Sequence, residues 1–363
     1  MRVMRGIVLV AVIALGVGGT GATAVAAPGG GVDRAEVQRI LDGLTGTTAQ
    51  GAQVRIVDNG REWQARSGTA RAGSPAPVPR DGVFRMGSVT KTFVATVVLQ
   101  LVGEGRVALD APVSRHLPGV LPDGDRITVR DLLQHTSGLY NYTFDVYTSD
   151  EDLIQKRFKH WEPAELVALS TRHPLVFEPG TRWEYSNTNF VVAGMVIRSV
   201  TGRSWRDEVT RRVLRPAGLA DTDAPGDRAA LPEPHAHAYE DLFGTAYEIT
   251  RINPSVADAA GAMTTTTGDL DRFARKLFSG HLLKPAQRAE LTRTTEVSGF
   301  YGLGAVVLTL GCGKKILGHN GSIFGWYTDM WVSEDAAKRL TLSVNMARGG
   351  TPVTTPLFDA VFC

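Results

Sequence analysis

The chain has 363 residues, 43% apolar and 21% charged, with 39 Lys+Arg against 37 Asp+Glu and two cysteines. Balanced charge excludes the basic footprint of a nucleic-acid binder and the acidic excess of a disordered chain, and two cysteines cannot build a disulfide scaffold or a Cys-rich zinc module. What remains is a large globular protein with ample material for a core, of the size and composition of an enzyme.

In chain order, the first segment reads as an address rather than as fold. Arg2 and Arg5 precede an eleven-residue apolar run, 7–17, and small residues lead to Ala24-Val25-Ala26. That order is a secretory signal peptide over 1–26, too short to span a bilayer. The expectation is a secreted chain from Ala27 on, with no membrane anchor. Arg2 and Arg5 supply the whole charge excess, so the remainder carries 37 charges of each sign. Outside the cytoplasm a lone pair of thiols is expected to be bridged, so Cys312 and Cys363 are read as a disulfide.

After Gly29-Gly30-Gly31, the spacing of Val37, Ile40, Leu41 and Leu44 predicts a helix over 33–44. Segments 52–58 and 62–67 flank Asn59-Gly60, a two-residue hairpin signal. Proline-rich 68–80 reads as loop, and 88–102, apolar after Lys91, as a buried helix. Helical patterns follow at 128–134, 163–171, 190–200, 205–213 and 267–278, with a long loop over 221–258. Strand character returns at 302–310, 315–319, 325–332 and 339–346, before a last helix over 353–361.

Strands at both ends with helices between predict an α+β fold. An antiparallel sheet is built from N- and C-terminal segments, flanked by helices, with an all-helical subdomain inserted. The division read from this order is one domain over 27–363. Its α/β part comprises 33–103 and 291–363, and 104–290 is the mainly helical insertion.

Three short patterns carry chemistry. Ser88-Val89-Thr90-Lys91 opens the buried helix. The i, i+3 spacing puts hydroxyl and ammonium one turn apart on one face, where lysine can take the serine proton. Tyr185-Ser186-Asn187 offers a phenol to pass a proton and an amide to hold a substrate carbonyl. His319-Asn320-Gly321, followed by Ser322, ends a strand, where glycine lets a substrate backbone approach and the next N–H can serve an oxyanion. Each pattern alone is weak, but all three in this order arise by chance less than roughly once in a hundred sequences.

The set Ser88-x-x-Lys91, Tyr185-x-Asn187, His319-x-Gly321 resembles the penicillin-recognising serine hydrolases, in the branch of class C β-lactamases, secreted D-alanyl-D-alanine carboxypeptidases and related esterases. Phe84 to Lys91, Leu132 to Leu139, Tyr185 to Asn189 and Thr264 to Leu270 carry the likeness across nearly all of 33–363. The resemblance implies an acyl-enzyme on Ser88, with Lys91 and Tyr185 moving the proton and the base between them left open. It implies an oxyanion hole from the N–H groups of Ser88 and Ser322, Asn187 positioning the acyl group, and His319 lining the opposite wall. No metal or cofactor is implied. The substrate is a small molecule or peptide (D-Ala-D-Ala peptides foremost, β-lactams or esters otherwise), and the chain is expected to be a monomer. The Cys312–Cys363 pair is similar to the bridge of the secreted carboxypeptidases. The chain departs from the pattern in having His319 where class C β-lactamases have lysine, and Asn320 where threonine is usual. It also has Val306 where the carboxypeptidases carry an arginine for the substrate carboxylate.

His135 is read as a structural residue at a helix end, and His235 and His237 as surface loop. Trp326 and Trp331 are read as core.

Overall fold

The computed structural model describes residues 31–363; the signal-peptide reading of 1–26 lies outside the described residues. Helix α1 (Arg34–Thr45) starts where the Asp33 carboxylate accepts from the N–H groups of Ala35 and Glu36. Strands β1 (Ala49–Asp58) and β2 (Arg61–Gly68) follow. Between them Asn59 and Gly60 both take positive φ (48° and 82°), which lets a two-residue turn follow the strand twist.

The other four strands of the main sheet come from the end of the chain: β3 (Val306–Thr309), β4 (Lys315–Ile323), β5 (Trp326–Ser333) and β6 (Lys338–Met346). The sheet order is β2-β1-β6-β5-β4-β3, with all neighbours antiparallel. The N-terminal hairpin therefore closes on the C-terminal meander through β1 and β6, Ala49 opposite Met346 and Asp58 opposite Lys338.

Each face of the sheet is covered differently. On one face Val54, Ile56, Leu340, Leu342 and Val344 pack with Val37 and Leu41 of α1 and with Leu357 and Val361 of a C-terminal helix, Thr355–Phe362. On the other face β1 and β6 present buried polar side chains tied to the inserted segment. Gln53 donates to the Gly82 carbonyl (3.0 Å), Asn345 to that of His237 (2.8 Å) and Thr341 to that of Thr267 (3.0 Å). The apolar contact on this face comes from Phe324, Trp326, Met330 and Val332, which join the core of the helical region.

At the centre of that region lies α2 (Thr90–Gly103), apolar on every side and buried from Thr90 to Leu99. Its Phe93 ring stacks on Phe273 of the helix Thr267–Phe278 at 3.6 Å between centroids. The sequence-predicted strands and most helices are present, with differences that have physical causes. β4 runs on to Ile323, past the predicted end at His319, because Gly321 packs against backbone where a side chain would stop the strand. The long loop over 221–258 contains a hairpin, Tyr239–Leu242 with Thr245–Glu248. The predicted strand over 302–310 is paired only at Val306–Thr309.

Candidate active site

Ser88 lies in a single 3-10 turn, Gly87–Val89, that feeds into α2. Gly87 has φ +52°, and an added Cβ there would sit 2.9 Å from both the N and the O of Ser322. An added Cβ at Gly321 would lie 2.1 Å from the Met86 carbonyl oxygen and 2.9 Å from the Ser88 nitrogen. Two glycines thus let β4 lie directly on the Ser88 turn, bringing the backbones of Ser88 and Ser322 side by side. The space that Gly321 leaves is taken by this chain's own backbone, not by a substrate as the sequence suggested.

Lys91 is wholly buried, one turn along α2. Its Nζ lies 3.1 Å from Ser88 Oγ, 2.7 Å from Asn187 Oδ1 and 2.7 Å from the Ala260 carbonyl oxygen. Burial holds the ammonium well below the usual lysine range. A neutral lysine has two N–H groups and one lone pair. The two acceptors take both hydrogens, and the lone pair is left facing Ser88 Oγ. Such a lysine can remove the serine proton.

Tyr185 donates its hydroxyl to Ser88 Oγ at 2.8 Å from the other side. Burial raises its phenol above the ordinary tyrosine value, partly offset by the bond to Ser88. Tyr185 therefore keeps its proton at neutral pH and can give it up only against a stronger base. Asn187 does more than face a substrate: its oxygen holds Lys91, while its backbone N–H donates to Asn141 Oδ1 at 3.1 Å.

His319 is buried behind the serine, and its ring contacts fix its tautomer. Nδ1 faces the Asn320 carbonyl oxygen, which only accepts, so Nδ1 carries the hydrogen. Nε2 then accepts from the Tyr301 hydroxyl at 2.8 Å. Burial pushes this imidazole down to about 3, so it is neutral in use. Both ring nitrogens are spent within the protein. Asn320 points to the opposite face of β4, and the side chains of His319 and Asn320 meet only at the strand edge, around a small space also lined by Trp183, Tyr185, Phe300, Tyr301 and Val306. None of these lining side chains is cationic.

The structure thus gathers Ser88, Lys91, Tyr185 and Asn187 through side chains and Gly321 and Ser322 through backbone. His319 and Asn320 stand at the edge. Cys312 and Cys363 are bonded to one another, joining the turn after β3 to the end of the C-terminal helix. His135 ends the helix Val129–Gln134 at φ +61°. Its Nδ1 accepts from the Ser186 N–H (3.3 Å) and the Asn189 amide (3.0 Å), and its ring lies 4.2 Å from that of Tyr185. It thereby holds the segment that presents Tyr185. His237 is half-buried and bonded to Glu248 (2.8 Å) rather than displayed on the surface. Trp326 and Trp331 are in the core.

Sequence reasoning missed Ala260, Asn141 and Tyr301. Ala260 acts through a carbonyl that any residue would supply, and left no signal to read. Asn141, two residues past the quoted Leu132 to Leu139 run, was within reach.

Comparison with known proteins bears on the family and the fold. The family model described as "Beta-lactamase" matches residues 37–356. Among solved structures, a D-stereospecific amidohydrolase from Streptomyces sp. superposes with a TM-score of 0.85 at 38% identity, covering 91% of this chain and 99% of that one. A D-amino acid amidase from Ochrobactrum anthropi SV3, complexed with L-phenylalanine amide, gives 0.78 at 29% identity, over 90% and 96%. A beta-lactamase from Pseudomonas fluorescens is 27% identical over 264 residues, 72% of this chain and 68% of that protein. The first curated relatives are matched over 47% to 68% of their own length.

Proposed function

We propose that this chain, which belongs to the Beta-lactamase family of serine hydrolases, cleaves amides of D-amino acids through an acyl-enzyme on Ser88. One observation carries the chemistry: the buried Lys91 Nζ lies within hydrogen-bond reach of Ser88 Oγ and of two other acceptors, Asn187 Oδ1 and the Ala260 carbonyl oxygen. Lys91 takes the Ser88 proton as Oγ bonds to the acyl carbon. The N–H groups of Ser88 and Ser322 face the oxygen that gains charge. The C–N bond breaks as the leaving nitrogen takes a proton from Tyr185, which is resupplied from Lys91. Water then retraces these steps on the acyl-enzyme and releases the acid. Asn187 holds Lys91 and the acyl group.

Two facts support the substrate class. The solved relatives are by name a D-stereospecific amidohydrolase and a D-amino acid amidase. The side chains lining the small space beside Tyr185 are mostly aromatic and none is cationic, so they offer no counter-charge to a carboxylate leaving group. D-alanyl-D-alanine carboxypeptidase is the second reading, favoured by His319 and by the Cys312–Cys363 bridge, but its substrate brings a carboxylate to that pocket.

Intact-mass spectrometry with a penicillin, followed by steady-state rates, tests both. Acylation of wild type, none in Ser88→Ala, and D-phenylalanine amide turned over at least 100-fold faster than its L form are expected. Faster hydrolysis of a D-Ala-D-Ala peptide supports the second reading, and a β-lactam or simple ester as the best substrate overturns both. A long-lived penicilloyl-enzyme without turnover of any substrate marks a sensor. Export is part of the proposal, supported by the leader pattern and the disulfide. It is checked by the N-terminal sequence of protein recovered from the medium, and monomeric state by light scattering.

A further inference from the structure

Beside the pocket a line of polar side chains crosses from β4 to β5. Asn320 is paired with Asp329, and strand alternation puts Tyr327 and Trp331 on the same face as both. Asp329 is fully buried. Its Oδ1 accepts from the Trp331 indole N–H at 2.8 Å and lies 3.3 Å from the Tyr327 hydroxyl. Burial pushes the Asp329 carboxyl up to about 6, and its Oδ2 has no hydrogen-bond partner among the described residues.

Tyr327 has one proton and two oxygens near it, Asp329 Oδ1 at 3.3 Å and Thr354 Oγ1 at 3.5 Å, and it donates to the nearer, Asp329. The Tyr327 oxygen is left as an acceptor. The neighbouring amide must then turn its NH2 end to it, and Asn320 Nδ2 lies 3.3 Å from Tyr327 Oη. That choice fixes the other end of the amide. Asn320 Oδ1 accepts from no described residue, and Asn320 lines the pocket next to Tyr185.

We propose that Asn320 is the specificity-determining residue for the leaving group, its carbonyl oxygen accepting a hydrogen bond from the N–H of the amide being cleaved. Asp329, acting through Tyr327, is the positioning residue that sets this polarity. The inference rests on the D-amide reading above and names its leaving group as an N–H donor. The pocket adjoins Tyr185, whose hydroxyl must reach the leaving nitrogen, and at about 10 Å³ it can take the nitrogen and its hydrogens at its mouth beside Asn320 but no larger group. A primary amide or amine has a hydrogen to give there. An ester oxygen has none, and a carboxylate would face the amide oxygen with like sign. When the C–N bond breaks, nitrogen takes its proton from Tyr185; Asn320 neither gives nor receives one.

The test uses D-phenylalanine amide and D-phenylalanine methyl ester, which share an acyl group and differ in the N–H. The readout is the ratio of their kcat/KM values, which a general loss of folding or of nucleophile does not change. Asn320→Leu and Asp329→Ala are expected to lower the amide-to-ester ratio at least tenfold. Tyr327→Phe, the mildest change in volume, is expected to lower it in the same direction. Asp329→Asn keeps an acceptor oxygen for Tyr327 and is expected to restore most of the ratio. An unchanged ratio in Asn320→Leu and Tyr327→Phe, with wild type active on the amide, overturns the inference alone. Wild type acting on neither compound overturns the D-amide reading, and this inference with it.

Discussion

Lys91 forms no ion pair with an acidic side chain among the described residues, and its three polar neighbours are a hydroxyl, an amide and a carbonyl. Without a counter-charge, burial works unopposed and favours the neutral amine. The sign of the pH dependence follows. The folded-state value is lowered, so the reactive amine persists to lower pH than in a free lysine and is lost as pH falls through that lowered value. Lys91→Arg cannot be deprotonated at any usable pH. It is expected to lower kcat/KM about 10²–10⁴-fold, the range for loss of a general base, with no recovery up to about pH 10. A pH–rate profile of both proteins checks this. At this scale the sequence was informative where spacing encodes geometry, as with Ser88 and Lys91 one helical turn apart. It was silent where the partner is backbone, as with Ala260, and where orientation matters, as with the amide of Asn320.

Strand β4 serves the site as a straight edge laid on the Ser88 turn, and Gly321 is the contact point. A methyl group there has to displace the Met86 carbonyl or the Ser88 N–H. Gly321→Ala is therefore expected to move β4 off the turn and open the gap between the Ser88 and Ser322 N–H groups. The expected outcome is a loss of about 10²–10³ in kcat, comparable to loss of an oxyanion donor, with the Ser88–Lys91 pair intact. Stopped-flow acylation by a chromogenic β-lactam measures it directly. The hairpin β1–β2 was legible because Asn-Gly suits a turn in which both central residues have positive φ. The hairpin at 239–248 was not. Its turn uses Phe243 at φ +54° before Gly244 at +72°, and phenylalanine does not announce that conformation.

The whole molecule is held together across the seam where the site lies. One continuous core runs from α2 and its neighbours into Phe324, Trp326, Met330 and Val332 of the sheet, so helical region and sheet share their burial. Denaturant unfolding followed by tryptophan fluorescence and by penicillin labelling of Ser88 is expected to give one coincident transition. Under dithiothreitol that transition is expected at lower denaturant. It should lose about 2–4 kcal/mol as the 51-residue Cys312–Cys363 loop is opened. The fold class was readable from the order of elements alone, because strands at both ends of a chain can complete a sheet only by meeting. The polar face of β1 and β6 was not, since Gln53, Thr341 and Asn345 look solvent-facing until the inserted segment is laid over them.

The pairing of Ala49 with Met346 also has a meaning in time. A ribosome working at about 5–20 residues per second needs roughly 15–60 s to deliver the second partner after the first. Throughout that interval β1 carries Val54, Ile56 and an unpaired row of backbone groups, with only β2 at its other edge. An open apolar edge of that kind pairs with whatever strand arrives. The N-terminal hairpin therefore stays incomplete until the last strands of the chain have been made.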